Sequence, residues 1–364
     1  MIAEGTDAAA VTPEQIRQVA DDVEAFCRAY KVQRVVIAKA IGYTGGVISE
    51  FLNGKYAGNE GKIAIALDEW LVEEEQRRSK QQRTVFVETA VVKQIFSVAT
   101  YCLDFRKVGL IYGPETSGLG KTMAMQAIYQ KMGPRRATMI TIDKCDANPT
   151  GLLKKIIAGM RLENTGSNAQ KMRRIVEHLN GRSHLLMIDQ VHNLRFAKED
   201  RPFYYLMDIY DASQTAQLWA GTSDMVAYLQ RQQAKTIDEP LAQIRRRIFP
   251  VIDLMASTAA GGDGGEPLYT IDDILEMFST FKLKLTHSAA KWLRAFACVP
   301  GSGALGACVN FVEFATMLGE SRRVKEITIA LLKEAVVCGL TSERSSWVLR
   351  ETEQMMGSAV ARAG

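Results

Sequence analysis

The stretch 108-VGLIYGPETSGLGKT-122 decides how the chain is interpreted. Its apolar start predicts a buried strand, and its glycine-rich end leads into Lys121 and Thr122 at the start of a predicted helix. The unpaired backbone N–H groups at a helix N-terminus attract anions, so a strand, a tight turn and a helix in this order predict a phosphate-binding loop. An ordinary surface turn before a helix is the alternative for this stretch alone.

The phosphate loop predicts ATP and Mg²⁺ as ligands. The Lys121 ammonium would reach the β- and γ-phosphates, and the Thr122 hydroxyl would bind Mg²⁺. Glu115 stands where such loops usually carry a glycine, and Gly113 lies two residues earlier, so we interpret the loop as two residues longer than usual. The predicted nucleotide contacts are Gly113, Gly118, Leu119, Gly120, Lys121, Thr122 and Met123.

A second nucleotide motif follows in 184-HLLMID-189. An apolar strand that ends in an acid predicts that Asp189 holds the Mg²⁺ shell, mostly through water. Gln190 occupies the next position, where a glutamate base usually lies, and an amide cannot accept a proton from water. We therefore predict impaired ATP hydrolysis, and the sequence leaves open whether the glutamine is native or replaces a glutamate.

Five apolar segments between residues 108 and 253 predict the strands of a parallel α/β sheet with flanking helices. They are 108–113, 137–142, 184–189, 217–221 and 249–253. Thr222 and Ser223 follow the fourth segment, where a hydroxyl can contact the γ-phosphate or cap a helix. A helix over 86–105 is predicted to precede the sheet.

Three arginines stand together in 243-QIRRRI-248. Arg246 and Arg247 are candidates for an arginine finger, which stabilises charge on the γ-phosphate of a neighbouring subunit. A solvated or DNA-facing basic edge is the alternative.

Residues 35–56 predict two short helices around a turn at Gly42, with Val47, Phe51 and Leu52 pointing inward. This pattern resembles a helix-turn-helix, which places its second helix in the DNA major groove. A small helical bundle for protein contact is the alternative. The predicted DNA contacts of this segment are Lys39, Thr44, Ser49 and Lys55.

The composition is that of a soluble globular protein, with 47% hydrophobic and 24% charged residues among 364. The net charge of +4 is compatible with nucleic acid but does not demand it. Six cysteines with no CxxC pair argue against a zinc site and a disulfide framework. No signal peptide or membrane span is apparent, so we expect a cytoplasmic protein without membrane contact.

Taken together, the phosphate loop, the Asp189 motif, the hydroxyl after the fourth strand and the arginine cluster resemble a AAA+ ATPase. The predicted fold is an α/β AAA+ core with a parallel five-stranded sheet, an N-terminal all-α helix-turn-helix domain and a C-terminal helical lid. The predicted domains are 1–80, 84–258 and 267–364, with a glycine-rich break at 259–266. The lid is predicted to be all helix, and no second sensor arginine occurs in 300–315.

The domain order is similar to the Mu B, IstB and TnsC family of transposition regulators. That resemblance implies ATP-dependent, largely sequence-non-specific binding to double-stranded DNA, self-assembly into helical filaments and recruitment of a transposase, with an adaptor protein as a further partner. It also implies DNA contacts from inner loops, for which Lys144, Lys154 and Lys155 are candidates. Two other functions stay open: a helix-turn-helix transcription regulator with a nucleotide-responsive oligomerisation module, and a replication-initiator or helicase-loader ATPase.

Overall fold

The computed structural model describes residues 11–30, 32–81, 84–114, 118–197, 200–230, 240–255 and 267–361. The chain divides into two compact units, Met1–Arg83 and Thr84–Gly364. The predicted core and lid both lie within the second unit. Glu115 and the predicted break at 259–266 lie outside the described residues.

The described residues of the first unit form four helices: α1 Pro13–Tyr30, α2 Arg34–Ala40, α3 Gly45–Leu52 and α4 Glu60–Gln81. Thr12 and Gln15 cap α1 reciprocally, because the side-chain oxygen of each accepts the backbone N–H of the other, at 3.3 and 2.9 Å. The four helices share one apolar core, which contains Val23, Phe26, Ile37, Ala38, Ile48, Phe51, Ile63, Ala64, Leu67 and Leu71.

The helices α2 and α3 meet at an angle of 111°. Gly42 has a φ of 75° in the turn between them, a backbone conformation that favours glycine. Thr44 caps α3 by accepting the N–H of Val47 at 3.4 Å. The angle lies within the range of helix-turn-helix pairs.

The three α3 residues predicted to point inward all contact the apolar core of the first unit. Phe51 is 3% exposed, and Val47 and Leu52 are partly buried and pack against the core. Ile48, which the sequence interpretation did not assign, is 0% exposed and lies one helical turn before Phe51.

The second unit contains a five-stranded sheet in the order β2-β3-β4-β1-β5, with every neighbouring pair parallel. The strands are β1 Val108–Gly113, β2 Ala137–Thr141, β3 Leu185–Asp189, β4 Ala216–Thr222 and β5 Ile248–Asp253. The predicted parallel α/β fold is confirmed. Thr222 is the last residue of β4 instead of following it, as the sequence had suggested.

The side chains of alternate strand residues pack into two hydrophobic cores, one on each face of the sheet. In β3, Leu185 and Met187 belong to one core and Leu186 and Ile188 to the other. The first core also contains α5 and α6, and the second contains the helices α7 to α11. The bounds are α5 Ala90–Phe105, α6 Lys121–Met132, α7 Pro149–Gly159, α8 Asn168–Leu179, α9 Arg201–Ser213, α10 Ser223–Gln230 and α11 Pro240–Arg247.

Two short 3₁₀ helices follow neighbouring strands at the carboxyl edge of the sheet. η1 Lys144–Asp146 comes after β2, and η2 Val191–Phe196 comes directly after Gln190 at the end of β3. This edge is where parallel α/β sheets bind their ligands.

The C-terminal segment is mainly helical, with α12 Ile271–Met277, α13 His287–Ala297, α14 Ala304–Ser321, α15 Ile329–Gly339 and α16 Ser342–Ala361. The prediction that it is all helix is wrong, because two-residue strands β6 Lys284–Leu285 and β7 Glu326–Ile327 pair in parallel. Among the described residues, no single helix has the length and hydropathy to cross a membrane; α2 and α3 together pass by length and composition only.

Candidate nucleotide site

A cavity of about 620 Å³ opens at the carboxyl edge of the sheet. Its size lies within the usual range for small-molecule sites. The lining residues are Thr84, Val85, Phe86, Val87, Thr89, Val92, Gly118, Leu119, Gly120, Lys121, Thr122, Met123, Asp189, Gln190, His192, Ala220, Gly221, Thr222, Met277, Leu305, Gly306 and Val309. Both predicted nucleotide motifs therefore contribute to one cavity.

Three side chains at the base of this cavity connect the two motifs. The Thr122 hydroxyl donates a hydrogen bond of 2.7 Å to Asp189 Oδ2. Lys121 and Asp189 are 8% and 2% exposed. Burial lowers the pKa of Lys121 to about 8, and the Asp189 carboxylate acts in the opposite direction. A buried ammonium beside a hydroxyl and a carboxylate is suited to phosphate and a divalent cation.

Close approach of backbone atoms requires glycine at one point of the phosphate loop. At Gly113 an added Cβ would lie 2.5 Å from Leu119 Cδ1, the end of a side chain that can rotate. A Cβ on Gly118 would lie 2.1 Å from the Gly303 carbonyl oxygen and 2.6 Å from the Gly306 nitrogen. The Gly306 N–H also donates to the Gly118 carbonyl at 3.2 Å. The start of α14 thus rests on the phosphate loop, backbone against backbone.

We expect Gly118→Ala to weaken nucleotide binding by about tenfold or more. The added methyl group would meet backbone atoms, which cannot rotate away, so the loop or α14 must move. The measurement is the dissociation constant for ATP by calorimetry. Gly339→Ala is the matched control, since a Cβ there has nothing within 4 Å. Unchanged affinity in Gly118→Ala would show that this contact is absent when nucleotide binds.

Gln190 is held at the cavity by its backbone and by a neighbour. Its φ of 55° is left-handed, and its N–H donates to Asp189 Oδ1 at 2.9 Å. Its side-chain Oε1 accepts from Asn193 Nδ2 at 3.1 Å. Asn193 was missed by the sequence interpretation, although it stands only three residues beyond Gln190, one turn along η2.

Two polar atoms at the cavity lack a hydrogen-bond partner among the described residues: Thr222 Oγ1 and His192 Nδ1. Thr222 is only 7% exposed, and an unpaired buried hydroxyl is costly unless a ligand or water satisfies it. Burial lowers the pKa of His192, and the charges of Arg195 and Lys121 act in the same direction, so its imidazole is neutral at neutral pH. His192 is the second site residue that the sequence interpretation missed.

These features fit a nucleoside triphosphate with Mg²⁺. The phosphate loop and Lys121 would hold the phosphates, and Thr122 with Asp189 would hold the metal, which would polarise the terminal phosphate. Among the described residues no group of three or more His, Cys, Asp or Glu side chains could bind a metal ion. Mg²⁺ keeps several waters in such sites, so water and phosphate oxygens would supply the remaining ligands beside Thr122 and Asp189.

The cavity wall includes segments that the sequence did not assign to the site. Phe86, Val87 and Thr89, predicted as helix, precede α5 and line the cavity. Thr89 caps α5 by accepting the N–H of Val92 at 3.4 Å. The lid contributes Leu305, Gly306 and Val309 from α14. An apolar wall suits the flat face of a base.

The predicted finger arginines lie at the opposite edge of the sheet from the phosphate loop. Arg247 precedes β5 beside Val108, roughly 17 Å from Gly113 at about 3.3 Å per residue. It pairs with Asp211 through its Nε and Nη2 at 3.1 and 2.9 Å. Arg246 is exposed and has no ion pair in the described part of the chain. Ser223 begins α10 and is absent from the cavity lining.

The predicted DNA contacts fall into two sets. In the first unit, Lys39, Thr44 and Lys55 are exposed and Ser49 is partly buried. In the second unit, Lys144 is exposed with its Nζ 4.8 Å from the Phe196 ring centre, and Lys154 is exposed.

Lys155, the third loop lysine, is engaged within the protein. Its Nζ pairs with Asp143 at 2.8 Å and Asp146 at 3.1 Å. These hydrogen bonds raise its pKa. Lys155 offsets one of the two carboxylate charges, so the segment 143–155, with three lysines and two aspartates, keeps a net charge of +1.

The parallel sheet, the phosphate loop and the acidic strand end define a phosphate-loop protein of the AAA+ class. Residues 104–229 match the family model described as AAA domain. The chain therefore contains an AAA domain, and both predicted nucleotide motifs lie within it.

Two curated relatives are more specific. The chain is 24% identical over 171 residues to the Mu-like prophage FluMu DNA transposition protein B of Haemophilus influenzae, covering 46% of this chain and 57% of the relative. It is 27% identical over 162 residues to the ATP-dependent target DNA activator B of Escherichia phage Mu, covering 43% and 50%. The chain thus spans about half the length of each relative it matches. The predicted resemblance to Mu B-like AAA+ proteins is confirmed.

Among solved structures, the Aeropyrum pernix ORC2 protein in its ADPNP-ADP complexes has a TM-score of 0.48 and 14% sequence identity, and the match covers 71% of this chain and 70% of that chain.

Proposed function

We propose that the chain is an ATP-dependent regulator of DNA transposition that assembles on duplex DNA. It would bind ATP with Mg²⁺, form helical filaments on target DNA with little sequence preference, and recruit or activate the transposase. The observation that carries the nucleotide part is the meeting of Lys121, Thr122 and Asp189 in one cavity. The similarity to a target DNA activator supports the transposition part.

In this proposal both units contribute DNA contacts. The 111° pair α2 and α3 presents Thr44 and Lys39 on its exposed side. Exposed lysines give phosphate contacts without sequence information. The second unit would add the exposed Lys144 and Lys154, in η1 and α7.

DNA binding by the full chain is expected to require ATP and to fall steeply with salt. Phosphate contacts release counterions, so each contact contributes about −0.9 to the slope of log affinity against log salt on duplex DNA. Fluorescence anisotropy with two unrelated duplexes, with and without ATP, measures this. A single preferred operator bound equally well without ATP would contradict the proposal and favour the helix-turn-helix transcription regulator.

Arg246→Ala is expected to prevent assembly while ATP affinity stays unchanged within about twofold. Arg246 is exposed at the edge away from its own phosphate loop, so it would act on the site of a neighbouring copy. Sedimentation with ATP and DNA gives the assembly state. Arg247→Ala serves as the comparison. Arg247 already pairs with Asp211, so its replacement should slightly lower the free energy of unfolding and have a smaller effect on assembly. Normal assembly of Arg246→Ala would place the finger elsewhere.

A further inference from the structure

The hydrogen bonds around Asn193 fix which way the Gln190 amide points. Asn193 is 6% exposed, and its Nδ2 lies 2.7 Å from the Ile142 carbonyl oxygen and 3.1 Å from Gln190 Oε1. A backbone carbonyl only accepts, so the Asn193 atom facing it must be the N–H₂ group. The same nitrogen faces Gln190, which must present its oxygen in return. The Gln190 nitrogen, a donor, is therefore turned away from Asn193.

The backbone of Gln190 is held as firmly as its side chain. The left-handed φ and the N–H bond to Asp189 Oδ1 tie it to the predicted metal ligand. The residue is exposed and lines the same cavity as Lys121 and Thr222. A side-chain donor is thus available at the end of the cavity that carries the phosphate-binding groups.

We propose that Gln190 makes the site selective for a nucleoside triphosphate over a diphosphate by donating its side-chain N–H to the terminal phosphate, with Asn193 as its positioning residue. A glutamate here would present an acceptor with negative charge and suit activation of water. The glutamine N–H instead attracts the phosphate oxygens. It therefore favours binding of the nucleoside triphosphate, the form present before hydrolysis. This inference rests on the proposed ATP binding and concerns how the same site tells ATP from ADP.

Asn193 also ties residue 190 to the neighbouring strand. Ile142 directly follows β2, and η1 begins two residues later. Asn193 therefore holds the end of β2 and the Gln190 side chain with a single group. Because it contacts Gln190 and not the cavity, it positions the donor without touching the nucleotide.

The test compares affinities for a non-hydrolysable ATP analogue and for ADP, both with Mg²⁺, by calorimetry on the full chain. In Gln190→Ala the analogue should bind about tenfold more weakly, the worth of one hydrogen bond to a charged group, with ADP changed by less than about twofold. Gln190→Met, which keeps the length without a donor, should behave the same way. Gln190 is exposed, so neither variant threatens folding.

A double-mutant cycle separates positioning from a general structural role. Asn193→Ala should lower the analogue-to-ADP preference as Gln190→Ala does, and the double variant should be no worse than either single one. Asn148→Ala is the matched control, because Asn148 is also a hydrogen-bonded asparagine at this edge, capping α7 through Gly151 N at 2.9 Å. It should keep the full preference.

Two results would overturn the inference: an unchanged preference in Gln190→Ala and Gln190→Met, or additive losses in the cycle. Both would leave the proposed ATP binding intact. If the unmodified chain binds neither nucleotide, the proposed function fails as well, and Lys121→Ala would then make no difference.

Discussion

ATP binding is expected to be lost when Lys121 is replaced by alanine. The Lys121 ammonium is buried at the base of the cavity, beside the Asp189 carboxylate. Two charge-assisted hydrogen bonds to phosphate contribute about 1.5 kcal/mol or more each, so affinity should fall by at least about 100-fold. The loss should be similar for ATP and ADP if Lys121 contacts phosphates common to both. Calorimetric titration with each nucleotide gives the result.

Lys131→Ala is the control for this variant. Lys131 lies in the last turn of the same helix, α6, is exposed, and contacts the Phe96 ring at 5.8 Å instead of the cavity. It should bind ATP normally. If Lys121→Ala also binds ATP normally, the assignment of Lys121 as a phosphate contact is wrong.

The sheet could be predicted from sequence because its physical signal is local. Each strand is a short apolar run. Alternate side chains pack into the two cores, so both faces of the strand are buried and nearly every residue in it is apolar. Lys121, Thr122 and Asp189 could be placed at one edge because parallel strands end together. The bond between Thr122 and Asp189 spans 67 residues, yet this rule brings the two motifs together.

The cavity walls could not be predicted because they depend on tertiary contacts. Residues 86–89 continue the apolar pattern of α5, which suggested a helix, but the Val85 N–H donates to the Met277 carbonyl at 2.9 Å and Thr89 starts the helix instead. The start of α14 contacts the phosphate loop through a hydrogen bond from the Gly306 N–H to the Gly118 carbonyl. Glycines give no apolar pattern, so this contact has no signal in the sequence.

The partners of the polar side chains could not be predicted from the sequence either. Three lysines and two arginines looked alike in the sequence. The structure separates Lys155 and Arg247, which form internal ion pairs, from Lys144, Lys154 and Arg246, which form none with the residues it describes. Charge runs do not reveal which members have partners. Asn193 was overlooked for the same reason, since its bonds to Ile142 and Gln190 depend on the turn of η2.

Gln190→Glu is expected to raise ATP turnover by about 10²–10⁴-fold, the usual contribution of a general base. A carboxylate at this position would still accept the Asn193 N–H, as Gln190 Oε1 does at 3.1 Å, so one oxygen would be held and the other would face the cavity. The group at the cavity would change from a donor to a proton acceptor. Phosphate release at saturating ATP, with and without DNA, measures the change.

Gln214→Glu provides the control, because Gln214 has a similar left-handed φ of 52° but caps α9 away from the cavity. It should leave turnover unchanged. Filaments that need ATP should also dissociate from DNA sooner in Gln190→Glu, because faster hydrolysis converts the bound ATP to ADP and removes the terminal phosphate on which assembly depends. Asn193→Ala in the Gln190→Glu background should lose most of the gain, since the carboxylate is then no longer oriented. If the glutamine protein already hydrolyses ATP as fast as the glutamate variant, another group accepts the proton. The neutral His192, whose buried Nδ1 has no hydrogen-bond partner in the described chain, would be the first residue to replace.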